Sequence, residues 1–301
     1  MDYSMIEELC VKNGTAFKRN ALLKQHCSMK IGGECDILVK PTDETILSEL
    51  LSLCRNENIP FFVLGRGSNV LFSDRGFRGA IILIGQEMGG IDVSGNEIIA
   101  GAGAALNAVC NAALENSLSG AENLYGIPGS VGGALFMNAG AFGSEMKDIA
   151  VSCRYIDEQG KLCEMLAENM DLSYRHSVFS KRECVITSVK MRFSNGEKTA
   201  IKARMDEVMQ RRKDKQPLEF PSCGSTFKRP LNAFAAALIE ECGLKGFQIG
   251  GAQVSEKHSG FVINRGGATF DDVMAVVEHI KKTVREQKGV ELECEMIIID
   301  G

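Results

Sequence analysis

The chain has 301 residues, 45% hydrophobic and 24% charged, which is enough to bury a substantial core and suggests two or three domains. A formal net charge of -5 with no long basic tract argues against nucleic acid as the main partner, since gripping a phosphate backbone needs a concentrated positive field. No stretch approaches the length of an apolar membrane span, and MDYSMIEELC lacks a basic region followed by an apolar one, so a cytoplasmic protein is expected, neither secreted nor membrane-bound.

Eleven cysteines are scattered singly with no C-x-x-C pair, and they read as small core residues in a reducing compartment rather than as a metal or disulfide framework. No metal site is expected. After a polar start, KIGGECDILVKP (30–41) reads as a strand ended by Pro41. Thr42 or Asp43 then caps a helix whose Ile46, Leu47, Leu50, Leu51 and Cys54 share one face, up to a stop near Pro60. FFVLGRGSN follows as a buried strand opening into a glycine turn, completing a strand-helix-strand unit with its loop available to ligand.

From about 80 to 195 the pattern shifts to short β-type runs (AIILI, EIIAGAG, CRYIDEQG, CVITSVKMRF) with one helix near 104–118 and a long glycine-rich loop. Helical patterns follow at 199–213, 231–242 and 270–288, the first ending in the basic RRKDK (211–215), which reads as a solvated helix end. The last is opened by Thr269 with Asp272 in capping-box position and closed by Gly289. LECEMIII (292–299) reads as a final strand, with Glu293, Glu295, Ile297 and Ile299 on one face. That face leaves Glu295 either partly desolvated or at a wet strand end. The segments expected are 1–80, 81–198 and 199–301, with the last strand a candidate to return to the first.

GIPGSVGGALFMNAGAFG (126–143) carries six glycines in eighteen residues around the buried-type Leu135, Phe136 and Met137, so something must approach its backbone closely. Missing side chains let backbone N–H groups converge on an anion, and GRGSN (65–69) repeats that chemistry at a strand end. Neither loop carries the Rossmann fingerprint or ends in the G-K-[ST] of a P-loop. Ser225, in FPSCGSTFKRP (220–230), taken alone is a turn residue, and Arg175 a surface ion-pair former.

Together these stretches resemble one family. GRGSNVLFSDRGFRGAII and GIPGSVGGALFMNAGAFG, then YRHSVF (174–179), QPLEFPSCGSTFKRP (216–230), GLKGFQIGGAQVSEKHSGFVIN (243–264) and Glu295, resemble in order the motifs of the UDP-N-acetylenolpyruvoylglucosamine reductases. The resemblance implies an α+β fold: a two-subdomain, PCMH-type flavin fold of the vanillyl-alcohol-oxidase-like kind, plus a C-terminal α+β substrate domain. It implies FAD as cofactor, NADPH as co-substrate, a UDP-sugar as substrate and a role in peptidoglycan precursor synthesis, with no obligate protein partner.

Carried over residue by residue, the resemblance makes Ser225 the proton donor, Arg175 the holder of the substrate carboxylate and Glu295 a protonated or proton-sharing carboxyl beside it. The flavin diphosphate would lie against Gly65, Arg66, Gly67, Ser68 and Asn69. The second loop would contribute Gly126, Ile127, Pro128, Gly129, Ser130, Gly132, Gly133, Asn138, Ala139, Gly140 and Ala141. Tyr174, Lys228, Gln253, Ser255, Lys257 and His258 are the expected substrate contacts, while His26, His176 and His279 read as structural or exposed. The chain resembles the shorter branch, with no tyrosine-bearing insertion between Arg175 and Ser225, and Arg229 stands where asparagine is common. Two rivals stay open: a small-molecule kinase using Glu122 or Glu145 for magnesium, and a non-catalytic nucleotide sensor. An oxygen-using flavin oxidase would need a larger cap domain.

Overall fold

The computed structural model describes residues 2–300. In chain order it forms α1 (Ser4–Lys12), β1 (Ala16–Leu22), β2 (Glu34–Lys40), α2 (Glu44–Asn56), β3 (Phe61–Leu64), β4 (Val70–Phe72) and β5 (Phe77–Leu83). Then come β6 (Ile91–Ser94), β7 (Glu97–Gly101), α3 (Leu106–Glu115), β8 (Leu118–Ser119), α4 (Val131–Phe136), β9 (Gly140–Ala141), β10 (Ser144–Glu145), β11 (Ala150–Ile156) and β12 (Leu162–Leu166). The rest comprises β13 (Val185–Arg192), β14 (Ser194–Asn195), α5 (Lys198–Lys215), α6 (Ala235–Glu241), β15 (Gln248–Ile249), β16 (Ala252–Val254), β17 (Val262–Asn264), α7 (Phe270–Lys288) and β18 (Ile297–Ile299).

The chain folds into two compact units. One takes the chain up to Arg19, Ile37–Arg66 and Gly79–Arg211; the other takes Asn20–Asp36, Gly67–Arg78 and the chain from Arg212 onward. In the first unit an antiparallel sheet runs β12-β11-β13-β7-β6, and β3 pairs in parallel with β5 from Phe61–Ala80 to Leu64–Leu83. Its core joins the apolar faces of α2 and α3 to that sheet. Helix α2 begins where expected because Asp43 accepts the N–H groups of Thr45 and Ile46, both at 2.9 Å, and it buries Ile46, Leu47, Leu50, Leu51 and Cys54.

In the second unit α7 lays Val273, Val276, Val277, Ile280 and Val284 on a core shared with Ala252, Val254 and Val262 of the sheet β15-β16-β17. Both halves of the Thr269–Asp272 capping box are present, and Gly289 takes φ +68°, the left-handed conformation that ends such helices. Strand β18 pairs in parallel with β4, from Ile297–Val70 to Ile299–Phe72. Both strands belong to the second unit.

Three expectations need correction. The glycine-rich stretch is not all loop: Val131–Phe136 is helical, entered through Ser130, whose hydroxyl accepts the Gly133 N–H. The helix expected over 231–242 forms only at Ala235–Glu241, because Pro230 interrupts the chain and Leu231 stays exposed. The final strand is confined to Ile297–Ile299. Residues 293–295 pair instead with 226–228, while the expected alternation persists, with Leu292, Cys294, Met296 and Ile298 packed on the second core. No helix among the described residues is long and apolar enough to cross a membrane.

Candidate active site

Strand β3 ends at Leu64, and the GRGSN turn follows. Among the described residues, none of the backbone N–H groups of Gly65, Arg66, Gly67, Ser68 and Asn69 donates to another part of the chain. Backbone donors left unengaged in a part-buried loop need solvent or a ligand. The glycines are needed for space as well as conformation. A β-carbon on Gly67, which sits at φ +61°, would meet the His26 carbonyl oxygen at 2.2 Å, and one on Gly65 would meet Ser130 Oγ at 2.4 Å. Arg66 points its charge into solvent, exposed.

The second loop is more fully engaged internally. Val131 and Gly132 donate to the carbonyls of Ala104 and Ala102, both at 2.9 Å, and a β-carbon on Gly132 would strike the Ala102 methyl at 2.7 Å. Gly126 donates to Asn107 Oδ1 at 2.7 Å. Asn138 is fully buried, its amide donating to Glu145 at 3.0 Å and to the Ser173 carbonyl at 2.9 Å, while its Oδ1 accepts the Lys147 N–H. Both amide N–H groups are thus engaged by the protein, and the side chain ties the loop to the turn bearing Arg175.

Arg175 occupies the tip of a tight turn closed by mutual hydrogen bonds between Ser173 and His176, each 3.1 Å. Its φ of +52° is rare for a branched-chain-sized residue and is held by those two bonds. The half-buried guanidinium donates to the Gly140 carbonyl at 3.3 Å and lies 5.2 Å from the Tyr174 ring centre. Burial pushes the Glu145 carboxyl up, but hydrogen bonds from Lys147 and Asn138, with the charges of Lys147 and Arg175, outweigh it and hold it below its ordinary value. His176 binds Asp171 and Ser180, a structural pairing.

In the second unit the segment that follows Ser225 pairs through its backbone with the segment that ends at Glu295. Phe227 bridges Cys294 in antiparallel fashion, the Lys228 N–H donates to the Glu293 carbonyl, and the Glu295 N–H donates to the Thr226 carbonyl, both at 2.9 Å. Glu295 is held from its other side by Asn69, whose amide donates to its carbonyl at 3.1 Å. Gly224 at φ +76° turns the chain into Ser225 and leaves open space where a β-carbon would lie. Among the described residues Ser225 Oγ makes no hydrogen bond, and the residue is half-buried. Such a hydroxyl is available to a ligand. Arg175 belongs to the other unit.

Of the residues expected at the substrate, Lys228 is ion-paired with Glu293, and Tyr174 is exposed. The polar groups of the others are engaged within the chain, all but the Lys257 ammonium in their own hairpin and turn. Gln253 donates to the Gly246 carbonyl and to Gln248, Ser255 Oγ accepts the N–H groups of Lys257 and His258, and Lys257 Nζ donates to the Lys213 carbonyl. His258 Nδ1 accepts the Gly260 N–H at 3.2 Å. Glu122 accepts from Ser119 and Gly120, and Glu145 is held as above, so both carboxylates that could have suited a kinase's magnesium are bound within the chain. Arg229 stacks 4.8 Å over the exposed Phe234.

Two residues with structural roles here gave no signal in the sequence. Thr226 is buried, with Oγ1 accepting the Val262 N–H at 3.0 Å and its own N–H donating to the Gly260 carbonyl at 2.9 Å. Ser28 donates at 2.6 Å to the Ser222 carbonyl, nearly two hundred residues away.

A dinucleotide flavin needs donors for its diphosphate and backbones free of side chains beside it, and the unengaged N–H groups of 65–69, with a glycine at 65 and at 67, fit that demand. Comparison with known proteins agrees. Residues 35–166 match the model of an FAD binding domain, and residues 216–299 match that of the UDP-N-acetylenolpyruvoylglucosamine reductase C-terminal domain. The chain is 46% identical to the UDP-N-acetylenolpyruvoylglucosamine reductase of Clostridium novyi (strain NT), over 94% of this chain and 92% of that one. It is 48% identical to that of Clostridium perfringens (strain SM101 / Type A), over 92% and 91%. The crystal structure of the Thermus caldophilus reductase superposes with a TM-score of 0.82 at 33% identity, covering 95% of this chain and 99% of that one.

Proposed function

The chain belongs to the UDP-N-acetylenolpyruvoylglucosamine reductase family, and from that membership we propose that it reduces UDP-N-acetylglucosamine enolpyruvate to UDP-N-acetylmuramate for peptidoglycan precursor synthesis. The observation that carries the reading is similarity over nearly the whole length, through both the flavin-binding and the substrate-binding parts. When bound, FAD would supply the hydride chemistry, with NADPH as reductant and the methylene carbon of the enolpyruvyl group as acceptor.

The residues of this chain do the rest. The N–H groups of Gly65 to Asn69, with the backbone of 126–141, hold the diphosphate. Arg175 grips the substrate carboxylate in a charge-assisted fork as negative charge grows on the neighbouring carbon; one preorganised donor of this kind is worth about 2.7–4 kcal/mol in comparable sites. Ser225 gives that carbon its proton, a task open to a neutral hydroxyl because the enolate is a strong base. Glu295 shares a proton beside it, since a bare carboxylate there would oppose the developing charge. One hydride and one proton together saturate the vinyl ether. Tyr174 and Lys228 contact the sugar nucleotide.

Anaerobic spectroscopy tests this. The purified protein is expected to be yellow, to bleach with NADPH, and to regain its colour on addition of the enolpyruvyl sugar nucleotide. A colourless protein, or bleached protein that only oxygen restores, overturns the reading.

A further inference from the structure

Among the described residues the hydroxyl proposed as proton donor makes no hydrogen bond, so its position depends on the backbone that carries it. Gly224, at a left-handed φ, permits the turn but does not fix it. What fixes it is the next residue. Thr226 is buried and engaged at three atoms: its N–H by the Gly260 carbonyl, its carbonyl by the Glu295 N–H and its Oγ1 by the Val262 N–H.

Gly260 is in turn held by His258. The imidazole Nδ1 accepts the Gly260 N–H at 3.2 Å, which leaves the ring proton on Nε2, and the His258 carbonyl accepts the Phe261 N–H at 3.0 Å. The ring meets Phe261 edge-on at 4.9 Å, and the His258 N–H is itself anchored on Ser255 Oγ. Ser259 secures the same turn to α6 by donating to the Ala236 carbonyl at 2.6 Å. The turn is therefore built around a neutral acceptor nitrogen.

Resting on the reaction proposed above, we propose that His258 is a positioning residue for proton delivery: its Nδ1 orients Gly260, the Gly260 carbonyl holds Thr226, and Thr226 sets the place of Ser225. Only the neutral imidazole can do this, because a protonated Nδ1 is a donor and turns away the Gly260 N–H. Burial, first, and then the charges of Lys245 and Lys215 keep the ring neutral by lowering its pKa from 6.5; its own backbone and Glu240 act the other way. The imidazole is therefore neutral at and above neutral pH, and the acceptor is lost as pH falls below the ordinary histidine range.

The test compares FAD-loaded wild type, His258→Ala and His258→Asn in anaerobic half-reactions from about pH 5.5 to 8.5, across the histidine range. Asparagine places Oδ1 where Nδ1 stands and does not titrate. His258→Ala is expected to slow reoxidation by the enolpyruvyl sugar nucleotide about 10- to 100-fold, the cost of a misplaced donor, while leaving reduction by NADPH within about twofold. His258→Asn is expected to recover most of that loss and to lack the wild-type decline at low pH. An alanine variant as fast as wild type, an asparagine variant no faster than alanine, or an unchanged low-pH decline in the asparagine variant overturns the assignment alone. If His258→Ala does not retain flavin, the two pH profiles of wild type and His258→Asn decide. Wild type that the sugar nucleotide never reoxidises overturns the reaction itself.

Discussion

A β-carbon on Gly65 would stand 2.4 Å from the hydroxyl of Ser130, the residue that opens α4 by accepting the Gly133 N–H. The two glycine-rich stretches, sixty-odd residues apart in sequence, thus abut at one point in the first unit, with no room for a methyl group between them. Glycine at 65 is a requirement of packing before it is one of ligand binding.

Gly65→Ala should therefore destabilise the protein by about 1–3 kcal/mol, the usual cost of overpacking, and lower its flavin content. Adding Ser130→Ala removes the oxygen that the new methyl strikes, at the separate cost of the helix cap, about 0.5–2 kcal/mol. The double variant should lose less than the sum of the singles, as expected for residues in contact. Urea midpoints and flavin absorbance of the four proteins measure this; strict additivity would mean that the loop relieves the clash by moving elsewhere.

Ser225→Ala removes the proposed acid and nothing that Ser225 holds in place, because among the described residues its Oγ makes no hydrogen bond. Stability should change little. Reduction by NADPH should persist, and reoxidation by the enolpyruvyl substrate should fall about 10²–10⁴-fold, the range for loss of a general acid. A variant that turns over normally removes Ser225 from the mechanism.

Why the Ser225 segment pairs with the Glu295 segment was not legible in the sequence. Helices α2 and α7 were, because a cap and a one-sided apolar stripe are local properties: Asp43 and Thr269 cap where the pattern places them, and Gly289 ends α7. The pairing of 226–228 with 293–295 joins segments separated by two helices and a three-stranded sheet, and no local pattern encodes it. LECEMIII looked like one strand because apolar residues alternate through it, yet its first half finds its partner in the Ser225 segment and its second half in β4. Asn138 shows a second gap: nothing local announces its buried bonds to Glu145 and the Ser173 carbonyl, which tie the glycine-rich stretch to the Arg175 turn.

Acid stability should carry the mark of one surface pair. Two hydrogen bonds from Arg182, at 2.8 and 2.9 Å, lead the effects that lower the Glu158 carboxyl to about 2. A carboxyl whose folded pKa lies below its unfolded value near 4.5 stabilises the fold above that value, and the benefit disappears as pH falls from 4.5 through about 2. Glu158→Gln should flatten the acid limb of stability in that window without abolishing it, because Glu97, Asp157 and Asp272 are also lowered. Urea midpoints across the acid range check this, and an acid limb of unchanged slope would show that the pair does not form in solution.

Thr226 offers the sharpest separation of structure from chemistry. Its buried Oγ1 accepts the Val262 N–H, so Thr226→Val, nearly equal in shape, leaves that N–H without this partner where water does not reach. An orphaned buried donor costs about 1–3 kcal/mol, which urea midpoints resolve. Thr226→Ser keeps the acceptor and loses only a methyl group, so it should lose less stability. Because Thr226 also carries the bonds to Gly260 and Glu295, the valine variant should slow reoxidation by the sugar nucleotide more than reduction by NADPH, and serine should restore the ratio. If valine and serine slow both half-reactions alike, Thr226 supports the fold without setting the place of Ser225.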